Sequence, residues 1–122
     1  MAYLYILGTI IFTVYGQLIL KWRIPFYGSL PASFFDKILF LFKLLLDPFI
    51  FSGFAAAFIA SFFWMAAVTN KIELSRAYPM TTIGLVLVFV FSIIFFKEAL
   101  TVYKVIGMFL IISGVLFISK SL

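Results

Sequence analysis

The chain has 122 residues, of which 66% are hydrophobic, 21% aromatic and only 11% charged. These proportions lie far outside the range of soluble domains and are typical of a protein whose solvent is a lipid bilayer. The sequence contains no cysteine and no histidine, which excludes disulfides, thiolate chemistry and the usual zinc ligand sets. Only four carboxylates remain, so we expect no enzyme, no metal site and no cofactor.

Four apolar runs are long enough to cross a bilayer as helices, at about 2–20, 48–68, 77–96 and 99–119. A hydrocarbon core of about 30 Å requires roughly 20 helical residues. The first run has no basic region before it and no small-residue cleavage site, so it is interpreted as a retained span. Because the later connections are short, we predict an all-α membrane protein, with a single antiparallel four-helix domain over residues 1–122.

A shorter apolar segment lies between the first two spans, at about 34–46. It is too short to cross a membrane, and Asp36, Lys43 and Asp47 fall on one side of a helical wheel. This pattern predicts an in-plane amphipathic helix at the headgroup boundary. Asp47 followed by Pro48 predicts an N-cap and first helical position for the second span.

Thr13, Gln17 and Lys21 are four residues apart and share one face of the first span. Gln17 could bond a neighbouring helix or contact a substrate, and both interpretations stay open. Lys21 and Arg23 could bind a substrate or anchor the helix end at the membrane boundary. In the second span, many small residues predict a central position in the bundle. The run 62–64 (Phe-Phe-Trp) could line a cavity or fill one, and packing is the favoured role.

The segment 72–82 concentrates polar chemistry before an uncharged span. Pro79 cannot donate to a helix ladder, and irregular backbone in a membrane persists only where protein covers it or a wet cavity lies beside it. Arg76 could pair with Glu73 at the surface. Alternatively, Arg76 and Tyr78 could face a polar vestibule that suits an anionic group. In the fourth span, Gly107 and Gly114 predict a close seam with a second chain.

Three stretches carry a family resemblance: "GQLILK" in the first span, "AYPM" at the start of the third, and "KEALTVYKVIGMFLIISGVLFI" at the end. They resemble the small four-helix members of the drug/metabolite transporter superfamily, over nearly the whole chain. Two branches are similar, the small multidrug resistance exporters and the subunits of the aminoarabinose-phosphoundecaprenol flippase.

Two positions separate these branches. The exporters have a membrane-embedded glutamate three residues before a glycine, and the matching position before Gly16 is Thr13. They also have a tryptophan early in span three, where Thr81 stands here. No span contains a carboxylate, so a proton-for-cation cycle has no evident carrier. The resemblance therefore favours a flippase or translocator of a polyprenyl-phosphate-linked sugar or similar anionic lipid.

The candidate substrate-binding residues are Thr13, Gln17, Lys21, Arg23, Glu73, Arg76, Tyr78 and Thr81, with Lys71 as a further source of positive charge. The resemblance implies a multi-pass protein of the inner (cytoplasmic) membrane that forms a homodimer or pairs with a paralogue, with no nucleic-acid partner. Two alternatives remain, a small cation exporter and a non-transporting subunit that stabilises a partner. A cavity that reaches Arg76 or Gln17 would distinguish a carrier from a structural subunit.

Overall fold

The computed structural model describes residues 2–69 and 72–120, and within these ranges every regular element is a helix. The helices are α1 (Ala2–Arg23), a 3-10 helix (Ile24–Tyr27), α2 (Phe34–Leu45), α3 (Pro48–Thr69), α4 (Leu74–Met80), α5 (Thr82–Phe96) and α6 (Val102–Lys120). Four stretches are long and apolar enough to cross a membrane: Tyr3–Tyr27, Pro48–Thr69, Leu74–Phe96 and Val102–Lys120. The prediction of an all-α membrane protein with four spans is confirmed.

α1 and α3 form the closest helix pair, and glycines allow the approach. A Cβ atom on Gly16 would lie 3.0 Å from the backbone oxygen of Gly53, and one on Gly8 would lie 2.6 Å from the ring of Phe63. Later residues of α1 therefore meet earlier residues of α3, so the two helices are antiparallel. Small residues at a helix contact let the backbones come together where larger side chains would hold them apart.

α5 packs on another side of α1. Gly84 lies against the side chains of Ile10 and Val14, and the buried core consists of Ile6, Ile10, Val14, Ala67 and Ala77. α1 thus contacts both α3 and α5, whereas α3 packs chiefly on α1. The prediction that span two is central is wrong, because α1 is the helix that contacts both of the others and α3 packs chiefly on α1.

The third span is broken near its start. α4 begins at Leu74, before the predicted start of the span, and contains Pro79 in its interior. A proline there lacks the N–H that would continue the helix ladder. Thr81 separates α4 from α5, and the hydroxyls of Thr81 and Thr82 donate to the carbonyl oxygens of Tyr78 (2.5 Å) and Pro79 (2.6 Å). Side-chain donors thus satisfy backbone acceptors at the break.

α2 has 12 residues, too few to span a bilayer, and exposes Phe34, Phe35 and Phe42. These features agree with an in-plane helix. Asp47 lies beyond the end of α2, so the prediction that it shares a face with Asp36 and Lys43 is wrong. Its backbone instead precedes α3, and its side chain is buried.

α6 lies along α4 and α5 and contributes no buried residue to the described part of the chain. Among the described residues, a Cβ built on Gly107 or on Gly114 would have no atom within 4 Å apart from those of its chain neighbours and its own helix backbone. Both glycines therefore lie on the outer surface of the single chain, with space beside them.

Candidate functional site

A partly open groove of about 640 Å³ runs between α1, α3 and the broken span formed by α4 and α5. It exists because α3 and α5 each pack on α1 more extensively than on each other. The lining residues are Thr9, Ile10, Thr13, Val14, Gln17, Ala57, Ala60, Ser61, Trp64, Met65, Tyr78, Thr81, Gly84, Leu85 and Val88.

α1 supplies a line of polar side chains along the groove. Thr9, Thr13 and Gln17 are four residues apart, so one helical face carries all three. The Thr9 hydroxyl lies 3.0 Å from the carbonyl oxygen of Tyr5, to which it donates, and 3.4 Å from that of Ala60. Thr13 and Gln17 are exposed. These two side chains are therefore positioned to meet a ligand.

The opposite walls of the groove add hydroxyls and aromatic rings. The Ser61 hydroxyl donates to the Ala57 carbonyl at 3.1 Å. The rings of Trp64 and Tyr78 meet edge to face, with centroids 5.9 Å apart, and connect α3 to α4 at one end of the groove. Thr81 follows at the helix break. The break therefore places irregular backbone beside a cavity, where a membrane protein tolerates it.

None of the described residues that line the groove carries a charge. The site offers hydroxyls, one amide, an indole and a phenol on a largely apolar surface. Such groups can donate to and accept from a neutral polar ligand, and aromatic faces suit the flat side of a sugar ring. Thr13, at the position where the exporters have glutamate, lines this groove.

Of the candidate binding residues, the structure brings four together in the groove: Thr13, Gln17, Tyr78 and Thr81. Lys21, Arg23, Glu73 and Arg76 lie outside its lining, and Lys71 lies outside the described residues. Sequence reasoning missed Thr9, Ser61 and Met65 as lining residues. It favoured packing for Trp64 over the alternative of lining a cavity, and Trp64 lines the groove. Thr9 continues the spacing of Thr13 and Gln17, so the same periodicity could have identified it.

Arg23 belongs to a polar cluster at the end of the bundle. Its Nε donates to Oδ2 of Asp47 at 2.9 Å, and the hydroxyl of Tyr27 donates to the same oxygen. Oδ1 of Asp47 accepts from the backbone N–H groups of Phe49 (2.9 Å) and Ile50 (3.2 Å), which confirms the predicted N-cap of α3. The guanidinium also lies near three aromatic rings: Trp22, Phe26 and Phe49.

The Asp47 carboxylate is almost fully covered, with 4% of the residue exposed. Burial alone raises the pKa of Asp47, but hydrogen bonds from Tyr27, Arg23 and the two backbone N–H groups outweigh it and lower the pKa to about 2. Asp47 is therefore ionised at neutral pH. This carboxylate and the cluster around it fix the turn between α2 and α3.

Arg76 has a different environment. Its Nε is buried and has no hydrogen-bond partner among the residues that the structure describes. Its guanidinium lies 5.9 Å from the centroid of the Tyr3 ring. The ion pairs found in residues 2–69 and 72–120 are Arg23–Asp47 and Lys21–Glu98, so the surface pair with Glu73 does not form there.

The fold and the groove define a multi-pass α-helical membrane protein with the architecture of a small transporter. Residues 45–111 match the family described as Small Multidrug Resistance protein, and the chain belongs to this family. It is also similar to an Aeromonas hydrophila subsp. hydrophila protein described as "Probable 4-amino-4-deoxy-L-arabinose-phosphoundecaprenol flippase subunit ArnE". The two are 30% identical over 116 residues, which cover 95% of each chain. No solved structure matches the chain. The family resemblance drawn from the sequence is confirmed.

Proposed function

We propose that the protein is a transport subunit of the inner (cytoplasmic) membrane that moves a polyprenyl-phosphate-linked sugar, or a similar anionic lipid, between leaflets. The observation that carries this proposal is the uncharged groove lined by Thr13, Gln17, Tyr78 and Thr81. A carrier for such a lipid needs a polar cavity that opens laterally, because the tail stays in hydrocarbon while the head crosses. The similarity to the flippase subunit supports the same substrate class. The protein acts as a carrier and not as an enzyme.

The sugar would occupy the groove, since its hydroxyls can pair with the exposed side chains of Thr13 and Gln17. The phosphate would lie towards Arg76, which belongs to the same short helix as Tyr78. A buried guanidinium nitrogen without a protein partner is suited to an anionic oxygen from a ligand.

A second chain would complete the carrier, either another copy or a paralogue. α6 contributes no buried residue to the described chain, and its two glycines are open. The Aeromonas relative is itself described as a subunit. Gly107→Leu and Gly114→Leu should reduce dimer formation in proteoliposomes, measured by energy transfer between labelled chains. Undiminished transfer would place the interface elsewhere.

A flipping assay tests the transport proposal. Proteoliposomes would contain a polyprenyl-phosphate sugar with a fluorescent reporter, and a membrane-impermeant reductant would report the outer-leaflet fraction. We expect the protein, with its paralogue if one is required, to make the inner-leaflet lipid accessible to the reductant. Thr13→Val and Gln17→Leu should slow this transfer between leaflets. Ser113→Ala removes a hydroxyl from α6 outside the groove and serves as the control. If no inner pool becomes accessible, the protein is a non-transporting subunit.

Export of cationic drugs is the second candidate, because the family match bears that name. Thr13 opposes it, since no acidic side chain lines the described groove to exchange a proton for a cation. We expect no pH-gradient-driven uptake of a quaternary ammonium compound by proteoliposomes and no gain of resistance in cells. Saturable uptake would favour the exporter.

A further inference from the structure

A second cleft, of about 360 Å³, lies between the C-terminal ends of α1 and α5. Its lining residues are Tyr15, Leu18, Ile19, Trp22, Phe95 and Phe96. The α1 residues of this cleft lie on a different face from Thr9, Thr13 and Gln17, because successive residues of a helix are rotated by 100°. The lining of the cleft is therefore separate from that of the groove.

The cleft presents an apolar surface. Of the side chains that line it, those of Trp22 and Tyr15 contain a polar atom. The Tyr15 hydroxyl already shares a hydrogen bond of 2.9 Å with Ser52. The aliphatic and aromatic walls suit a hydrocarbon chain, which gains the same dispersion contacts as a buried side chain. A polar headgroup would find few partners inside.

A loose ion pair lies beside this cleft. Lys21 precedes Trp22 in α1, and Glu98 follows Phe96 by two residues. The Lys21 ammonium and the Glu98 carboxylate are 3.9 Å apart, with side-chain exposures of 58% and 38%. An exposed pair at this distance contributes little, so a competing anion can replace the carboxylate. Trp22 belongs to the residue type that concentrates at headgroup level.

We propose that this cleft binds an anionic phospholipid of the bilayer, with one acyl chain against Trp22 and Phe95 and the phosphate on Lys21 in place of Glu98. The cleft supplies the apolar contact and Lys21 supplies charge complementarity, and both occur at the end of a membrane span. The site would select anionic over zwitterionic lipids, because a headgroup that carries its own cation gains less from Lys21.

The fluorescence of Trp22 provides a direct test. The chain has two tryptophans, so Trp64→Phe leaves the indole in the cleft as the only reporter. Phosphatidylglycerol and phosphatidylcholine, each brominated on the acyl chains, would be titrated into bilayers that contain this variant. We expect phosphatidylglycerol to quench Trp22 at a mole fraction roughly fivefold lower than phosphatidylcholine does. This factor corresponds to the free energy that one lysine contributes to anionic lipid binding at a membrane surface.

Three further variants separate the phosphate contact from general charge effects. Lys21→Gln should bring the ratio of phosphatidylglycerol to phosphatidylcholine affinity, the lipid preference, close to one. Glu98→Gln should increase this preference, because it removes the competing carboxylate. Lys97→Gln removes a neighbouring positive charge and should leave the preference unchanged. Lys21 and Glu98 are both exposed, so neither change threatens folding, and gel filtration would verify this.

The proposal is wrong if Lys21→Gln keeps the preference or if Glu98→Gln lowers it. It is also wrong if an equimolar polyprenyl phosphate displaces phosphatidylglycerol, because the cleft would then be a site for the carrier lipid. Failure of the flipping assay would leave this outcome unaffected.

Discussion

Arg23 at the end of α1 donates from Nε to Oδ2 of Asp47 over 2.9 Å, and so connects α1 to the start of α3. The same carboxylate accepts from two backbone N–H groups of α3 and from Tyr27. One buried side chain therefore fixes both ends of the segment that contains α2. Removing one partner from a buried charge pair leaves the other uncompensated.

Asp47→Ala should lower the midpoint of thermal unfolding in detergent by at least about 5 °C, the scale for losing a buried interaction in a domain of this size. The cause is the loss of the helix cap together with the isolation of the Arg23 guanidinium. Asp36→Ala removes an exposed carboxylate in the neighbouring helix and is the control. Equal midpoints for the two variants would show that the Asp47 cluster does not hold the turn.

The pKa of Asp47 also predicts how stability depends on pH. Its value of about 2 lies below the usual value near 4 of an unfolded aspartate, so the unfolded chain binds the proton more tightly. The stabilisation is therefore complete above about pH 4 and is lost as the pH falls towards 2. Thermal unfolding measured between pH 6 and pH 2 should show this loss in the parent. Asp47→Asn should lack that part of the pH dependence.

The approach of α1 to α3 depends on Gly16. An alanine there would place its Cβ 3.0 Å from a backbone oxygen of Gly53, and backbone cannot move aside as a side-chain tip can. Gly16→Ala should therefore lower the thermal midpoint by several degrees. Gly84→Ala is the matched control, because its Cβ would make ordinary contacts of 3.5 Å. A larger loss for Gly84→Ala than for Gly16→Ala would contradict this account of the seam.

Substitution of Arg76 distinguishes a contact with the lipid phosphate from a role in anchoring the helix end at the membrane boundary. If its guanidinium binds the lipid phosphate, Arg76→Ala should weaken polyprenyl-phosphate binding by roughly 10-fold to 150-fold. Arg76→Lys should be intermediate, since an ammonium cannot form the bidentate contact. Glu73→Gln alters an exposed acid three residues away and should change little. Binding that is unaffected by Arg76→Ala would make this residue an anchor.

Span number and helix type could be predicted from the sequence. A stretch of about 20 apolar residues has to satisfy its backbone internally in a bilayer, so composition alone determines that Pro48–Thr69 is a helix. The Asp47–Pro48 cap could also be predicted, because the carboxylate accepts hydrogen bonds from backbone N–H groups only two and three residues further along the chain. The third span begins earlier than the predicted position near residue 77, because α4 starts at Leu74 and continues through Pro79.

The partners of the charged and polar side chains required the tertiary structure. Thr13 and Gln17 share a face by periodicity, but periodicity does not reveal whether that face meets a helix or a groove. Arg23 and Arg76 are both candidate binding residues in the sequence. In the structure, Arg23 is bonded to a carboxylate 24 residues away, whereas Arg76 has a buried nitrogen without a partner among the described residues. Burial in the bilayer acts on each segment separately, so the membrane spans can be predicted from composition. Side-chain pairing depends on which helices touch, and here that was decided by where glycine lets two backbones approach.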